Sequence, residues 1–128
     1  MSPVAEASEH EPVVRLWTLL WVNRDTDGAA DLLADPYVRH SADGVHTATP
    51  AEYTRQVSQT TRHLKGTAVV FHHLSHDGDL TNARFTLQGV NLNTGDPVAI
   101  GWIAQYRIVD GHLAESWSLR QTDFAWSR

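Results

Sequence analysis

The sequence predicts an α+β fold: a cone-shaped, curved antiparallel sheet wrapped around N-terminal helices and enclosing a pocket. Three observations predict it. Helical periodicity fills the first half of the chain and strand periodicity the second, an order of helices then strands. The strand half carries three turn signals, His76-Asp77-Gly78-Asp79, Asn93-Thr94-Gly95-Asp96 and Asp110-Gly111, so its four runs read as a meander. Those runs exceed the ~5–6 residues of an ordinary strand, and strands that long curl. A curled sheet with helices across its concave side makes a cone with a mouth.

The helices come first. Val13, Leu16, Trp17, Leu20 and Trp21 recur at helical spacing, which predicts a helix over 11–24 with Pro12 near its start. Asp25 to Gly28 breaks it. Thr26 or Asp27 is placed to cap a second helix over Gly28–Ala34, which Asp35-Pro36 ends. Tyr37-Val38-Arg39-His40 reads as a short extended segment, followed by a polar loop over Ser41–Ala48. Thr49-Pro50-Ala51-Glu52 is a capping box with proline in the first turn. The third helix is expected to run from there to about Leu64, stopped by Lys65-Gly66. The strands are then expected at Thr67–Ser75, Leu80–Leu92, Val98–Val109 and His112–Thr122.

A chain of 128 residues with 41% hydrophobic and 20% charged residues suits one globular domain. Residues 1–10 read as a loose tail of small and acidic residues, and residues 11–128 as a single domain. The formal net charge is −5 and there is no run of Lys or Arg, so neither nucleic acid nor an anionic membrane is an expected partner. The longest apolar stretch, Val13–Val22, is interrupted by Arg15 and falls short of the ~20 residues of a membrane span. The start has no apolar core of a secretory signal. The absence of cysteine excludes disulfides, a thiol nucleophile and thiolate zinc sites. It fits a reducing compartment, and the expected location is cytoplasmic.

The chain has no G-x-S-x-G, no phosphate-binding loop and no dinucleotide fingerprint. His72, His73 and His76 invite a metal reading. Neighbours on a strand point to opposite faces, so His72 and His73 should not chelate together. One of the two is expected inward, and His73 is counted with the pocket. No metal and no cofactor are expected. Five tryptophans exceed what a small core needs, so some are expected to line a ligand cavity.

Trp21-Val22-Asn23-Arg24-Asp25 followed by Leu32 to His40, the strand Arg84-Phe85-Thr86-Leu87-Gln88-Gly89, and the hairpin Tyr106-Arg107-Ile108-Val109-Asp110-Gly111-His112-Leu113-Ala114-Glu115-Ser116-Trp117 resemble SnoaL-like, nuclear-transport-factor-2-like proteins. The resemblance covers about residues 12–122. That superfamily holds polyketide cyclases, ketosteroid isomerases, epoxide hydrolases, dehydratases and non-catalytic binding or assembly domains. The resemblance implies which strand face lines the pocket: Ser116, Ser118 and Arg120 in the last strand; Trp102, Ala104 and Tyr106 in the third; Phe85, Leu87, Gly89 and Asn91 in the second. Glu115, Trp117, Leu119, Gln88, Val90, Ile103 and Gln105 are then outward, and relatives often dimerise through that face, which implies a homodimer.

The resemblance also implies roles. His40 falls where isomerases of this fold hold their carboxylate base, and imidazole moves protons near neutrality. Asp43 and His46, in the adjoining loop, are placed to orient His40 or touch ligand. Trp17 and Trp21 lie one turn apart on a helix that supplies pocket residues in relatives; at least one is expected in the cavity with the other in the core, and both are counted as candidate pocket residues. Arg120, if inward, demands an anion or the nearby Asp123. Tyr106, Asn91 and Ser118 are donors suited to a developing enolate oxygen. Ser118 stands where SnoaL-type cyclases carry a carboxylate, a departure from their pattern, and no carboxylate pair of the epoxide-hydrolase kind is found. The reading is an enzyme acting by acid–base chemistry on a small, largely apolar, carbonyl-containing molecule, of cyclase, isomerase or dehydratase type. The alternative is a non-catalytic ligand-binding protein of the same fold.

Overall fold

In the computed structural model, which describes residues 11–127, helix α1 (Pro12–Trp17) begins at a side-chain cap. The Glu11 carboxylate accepts the Val13 and Val14 N–H groups at 2.8 and 3.3 Å, and Pro12 sits in the first turn, where its missing N–H is not needed. The tail expected over residues 1–10 lies outside the described residues. From Thr18 to Val22 the helix continues as a π-helical turn. Arg24 follows in the left-handed region at φ 57°, and its guanidinium donates to the Thr61 and Leu64 carbonyls at 2.5 and 2.7 Å. That clamp ties the end of the first helix to the segment leading into the third strand.

Helix α2 (Thr26–Ala30) is capped by Asp25, which accepts the Gly28 N–H at 2.9 Å. It starts and ends earlier than the sequence suggested. Strand β1 (Leu33–Ser41) begins before Pro36, because the Leu32 carbonyl is taken by the Leu113 N–H of the last strand at 2.9 Å. Pairing with a distant strand overrides local helical preference here. The polar stretch Ser41–Ala48, expected as a loop, is a hairpin: β2 (Gly44–Ala48) pairs antiparallel with β1, and only Ala42 and Asp43 turn.

Helix α3 (Pro50–Thr60) has the anticipated capping box. Thr49 Oγ1 accepts the Glu52 N–H at 3.2 Å, and the Glu52 carboxylate accepts the Thr49 N–H at 2.8 Å. It stops at Thr60 rather than Leu64, since Leu64 already begins strand β3 (Leu64–Asp77). Gly66 is therefore not a helix stop but a strand residue. A Cβ there would lie 2.3 Å from the Trp21 carbonyl oxygen, so its missing side chain is what lets the π-helical turn rest on the sheet.

Strands β4 (Leu80–Asn91), β5 (Pro97–Val109) and β6 (His112–Thr122) follow as a meander. Asp110 and Gly111 join the last two at φ 52° and 80°, the paired positive values of a two-residue hairpin turn. The sheet runs β2-β1-β6-β5-β4-β3, curved and unclosed. It is α+β as expected, but mixed rather than wholly antiparallel. β1 lies parallel to β6, with Arg39 opposite Ser116 and His40 opposite Trp117. The rest of the order is antiparallel. The difference arises because β1 reaches β6 across the whole domain, a pairing that no turn sequence announces.

The core packs between the concave face and α1, from Leu16, Leu20, Phe71, Phe85 and Leu113. Gly66→Ala is expected to destabilise the fold by about 2 kcal/mol or more, because the added methyl meets backbone that cannot rotate away. Chemical denaturation measures it, and an unchanged midpoint refutes the close approach.

Candidate functional site

Alternation along a strand sorts side chains into two faces, and one residue of known direction fixes the rest. Tyr37 on β1 is buried in the core, so Arg39 and Ser41 share its face and His40 takes the other. On β5, Trp102, Ala104 and Tyr106 are buried on the concave side. On β6, Ser116, Ser118 and Arg120 point the same way. Together with α1 and α3 these positions enclose a cavity of about 340 Å³. It lies toward the low end of the range for small-molecule sites. A second hollow of about 360 Å³ adjoins it at the mouth, sharing Ser41, Asp43, Trp102, Ser118 and Arg120.

The deep wall is aromatic. The Trp17 and Trp21 rings stack at 5.1 Å with 13° between their planes. Trp102 meets Trp17 edge-on at 4.7 Å, and Phe85 backs Trp17 at 4.6 Å. Both helical tryptophans line the cavity, as the expectation of at least one there allowed, and Trp17 is at the same time part of the buried core. Trp17 carries its residue into the site along with its hydrogen bond: Nε1–H donates to the Tyr106 hydroxyl at 2.9 Å. The Tyr106 oxygen thus accepts from the helix, and its own proton remains to be donated. The Trp102 N–H is buried and finds no acceptor among the described residues.

Three phenols surround this wall, and they are all the tyrosines of the chain. Burial pushes the Tyr106 hydroxyl far above its ordinary value, with Tyr53 adding to the effect. Burial also raises Tyr37, helped by Tyr106 and Tyr53, and raises Tyr53 against the opposing charge of Arg39. All three stay protonated and act as donors, not as bases.

The mouth is charged. Arg39 lies over the Tyr53 ring at 4.7 Å and donates a long 3.5 Å contact to the Gln56 side-chain Oε1. Arg120 lies 5.5 Å from the Trp102 ring centroid. The expected pairing of Arg120 with Asp123 does not form, and neither arginine has a carboxylate within 4.0 Å among the described residues. Asp43 and His46, from the β1–β2 hairpin, complete the rim.

Five expected positions need correction. His40 faces the outer surface of the sheet. It pairs with Glu115 Oε2 at 2.7 Å and stacks on Trp117 at 5.1 Å, so Arg39 stands in the cavity where His40 had been placed. Phe85 and Leu87 are inward but fully buried beneath the lining residues, as supports. Asn91 ends β4 and its side chain is spent capping the turn that follows, the side-chain oxygen accepting the Asn93 and Thr94 N–H groups at 2.9 and 3.3 Å. His73 is not in the pocket. A bulge between Phe71 and His73 breaks the alternation, and both His72 and His73 turn outward. His72 pairs with Thr86 Oγ1 at 2.9 Å, and His73 edges an outer groove of about 500 Å³. The premise that adjacent histidines occupy opposite faces fails at such a bulge. Among the described residues no cluster of three His, Cys, Asp or Glu could hold a metal ion.

The structure therefore brings together Trp17, Trp21, Trp102, Tyr106, Ser118 and Arg120. Tyr37, Arg39 and Tyr53 were missed as lining residues. The signal for them was slight: in Tyr37-Val38-Arg39-His40 each face holds one apolar and one polar residue, and only the demand of Tyr37 for a large buried site favours its face.

A family model described as a SnoaL-like domain matches residues 13–116. No curated protein matches the sequence significantly. Among solved structures, a protein assigned as a polyketide cyclase from Acidithiobacillus ferrooxidans aligns with a TM-score of 0.77 and 16% identity, over 94% of this chain and 92% of that one. A protein assigned as an isomerase from Bacillus subtilis gives 0.75 and 12%, over 91% and 88%. An LEH-like epoxide hydrolase from M. tuberculosis gives 0.69 and 14%, over 84% and 79%. These likenesses are to the fold.

The phenols make a direct spectroscopic prediction. Each has a folded value raised above its unfolded value, so its contribution to stability is complete below pH 10 and is lost as pH rises through the folded value. Stability is expected to fall above pH 10 by about 1.4 kcal/mol per pH unit per phenol. Absorbance at 295 nm should show no tyrosinate until the protein unfolds, and then all three together. Gradual ionisation near pH 10 in the folded state refutes the burial of these hydroxyls.

Proposed function

This chain belongs to the SnoaL-like domain family, and we propose that it is a small-molecule enzyme working by acid–base chemistry on a carbonyl-containing substrate. The reaction is of cyclase, isomerase or dehydratase type, on a natural-product or polyketide-like molecule, with no cofactor required. The observation that carries this reading is the Tyr106 hydroxyl. It is buried, held protonated, and oriented by the Trp17 N–H at 2.9 Å, which also polarises it as a donor. A donor of that kind stabilises negative charge developing on a carbonyl oxygen.

The steps follow from the lining. The substrate carbonyl oxygen accepts the Tyr106 proton as a hydrogen bond. Imidazole suits proton transfer near neutrality, and His46 carries it at the rim, with the Asp43 carboxylate beside it as the other acceptor. The base removes a proton from the carbon next to the carbonyl, and the electron pair moves onto the oxygen as an enolate. Return of the proton at another carbon isomerises the substrate. Attack of the enolate carbon on a second carbonyl closes a ring, and expulsion of a β-hydroxyl dehydrates it. His40, on the outer face, takes no part.

Proton exchange at the α-carbons of 2-tetralone in heavy water, followed by NMR, tests the chemistry without the natural substrate. Wild-type protein is expected to accelerate exchange, Tyr106→Phe to lower it by about 10²–10³-fold, and His40→Ala to leave it unchanged. No acceleration by the wild-type protein refutes the enzyme reading. The second reading, a non-catalytic ligand-binding protein, is favoured by one feature: the deep lining is all donors, and both proton acceptors sit exposed at the rim. Saturable binding without exchange would establish it.

The outer face supports a further proposal, a homodimer in the cytoplasm. Leu119 and Ile103 are 65% and 53% exposed beside Trp117, more apolar surface than a sheet face in water usually shows. Leu119→Lys is expected to convert the dimer to a monomer in light scattering. A wild-type monomer at high concentration overturns it.

A further inference from the structure

The charge at the mouth says something about the ligand that the acid–base reading leaves open. Two guanidiniums, Arg39 and Arg120, line the cavity, and among the described residues neither has a carboxylate partner. Arginine stays charged at any pH the fold survives, so it cannot relieve its position by losing a proton. Asp43 is the one carboxylate among the described lining residues. Two positive groups against one negative leave the mouth net positive, although the whole chain carries −5. A cationic mouth on an acidic protein is a local arrangement and not a by-product of overall charge.

Aromatic cavities also receive cations, and the tryptophan wall would suit one. The lining argues against it. The Tyr53 ring already faces Arg39 at 4.7 Å, and the Trp102 ring faces Arg120 at 5.5 Å. A cationic ligand would compete with the protein's own cations for these rings and be repelled by both. A neutral ligand would cover two guanidiniums without pairing them, which costs free energy. The deep end selects by shape and by acceptors. The stacked Trp17 and Trp21 rings and the edge of Trp102 offer flat apolar walls. The Trp102 N–H is buried and has no acceptor among the described residues.

We infer that the site takes a planar organic carboxylate, its ring system against the tryptophan wall, its carboxylate on Arg39 and Arg120, and a carbonyl or similar acceptor at the deep end. This rests on the reading of the cavity as the substrate site and names the substrate class for it. The cavity of about 340 Å³ suits one or two fused rings rather than a long chain. A bidentate guanidinium contact would also fix which carbon of the ring faces the rim, where His46 and Asp43 stand.

Calorimetric titration of the full chain with three bicyclic probes of one shape tests it: 2-naphthoate, 2-naphthamide and (2-naphthylmethyl)trimethylammonium. Naphthoate is expected to bind at least about tenfold more tightly than the amide, and the ammonium probe most weakly. Arg39→Gln and Arg120→Gln should each weaken naphthoate about tenfold and leave the amide unchanged. Arg39 packs on Tyr53, so its variant carries a risk to folding; Arg120 is exposed, and its variant keeps the test open. Equal affinity for naphthoate and naphthamide, preference for the ammonium probe, insensitivity to both substitutions, or no binding of naphthoate overturns the inference. Turnover is not read in this experiment. Naphthoate binding without proton exchange on 2-tetralone removes the enzyme reading alone, and exchange without naphthoate preference removes the carboxylate alone.

Discussion

The parallel pairing of β1 with β6 decides what this molecule can do. Arg39 stands opposite Ser116 and His40 opposite Trp117, so the first pair faces the cavity and the second the outer surface. A shift of one residue would exchange the two faces of β1. It would bury His40 among phenols and push Arg39 out beside Glu115. Several contacts hold the observed register at once. Tyr37 fills a core site beside Tyr53 at 5.0 Å, and His40 meets Glu115 at 2.7 Å on the far side. Arg107 bridges from Glu115 at 3.6 Å to Asp79 at 2.8 Å, linking the β1–β6 pair to the next strands. The outer network is thus a register device. It fixes the inner face without touching it.

A second constraint acts at right angles to the first. The π-helical turn of Thr18–Val22 must lie close to β3 for Trp21, and for Trp17 at the end of α1, to reach the sheet, and Gly66 supplies the space. The end of α1 then brings Trp17 to Tyr106 on β5. The 2.9 Å hydrogen bond between them is the polar contact that crosses the layers at the centre of the aromatic core. An indole N–H and a phenol oxygen buried without each other would each cost about 1–3 kcal/mol. Pairing them removes that cost and leaves one proton, that of Tyr106, facing the cavity. Structure and the proposed chemistry share the same atoms here, so the site is rigid at the hydroxyl that the acid–base reading uses.

How much of this was legible in the sequence follows from the range of each interaction. The meander β4–β5–β6 was read almost to the residue, because Asp-Gly turns and period-two alternation are local. The inward set Trp102, Ala104, Tyr106, Ser116, Ser118 and Arg120 came with it once the resemblance fixed the face. The capping box of α3 was legible for the same reason. β1 was not, since its partner lies nearly eighty residues away and its mixed sequence gives no clear alternation. That one gap placed His40 in the cavity and hid Arg39 and Tyr37. The bulge at Phe71–His73 hid the common direction of His72 and His73, and Asn91 was read by strand parity when its side chain had a turn to cap. For β1 and the two histidines a non-local contact or an irregularity of the ladder carried the information, and for Asn91 a local turn outweighed strand parity.

The arrangement of donors and acceptors sets the direction of any chemistry here. From the deep end outward the lining runs through indoles and phenols that burial keeps protonated, then serines, then two guanidiniums with an imidazole and a carboxylate at the rim. Negative charge is therefore most stable inside, and the proton acceptors face the entrance. On the proposed acid–base reading, a substrate would give up its proton at the outward carbon while its oxygen points inward to Tyr106, so that protons would exchange through the mouth and the enolate would stay among donors that burial keeps neutral. Ser118 fits this polarity where a carboxylate would not. An anion at that position would lie beside Arg120, neutralise the rim, and oppose charge accumulating deeper in the cavity. The departure from the cyclase pattern at Ser118 and the lack, among the described residues, of a carboxylate on Arg120 are two sides of one electrostatic choice, which keeps the entrance positive.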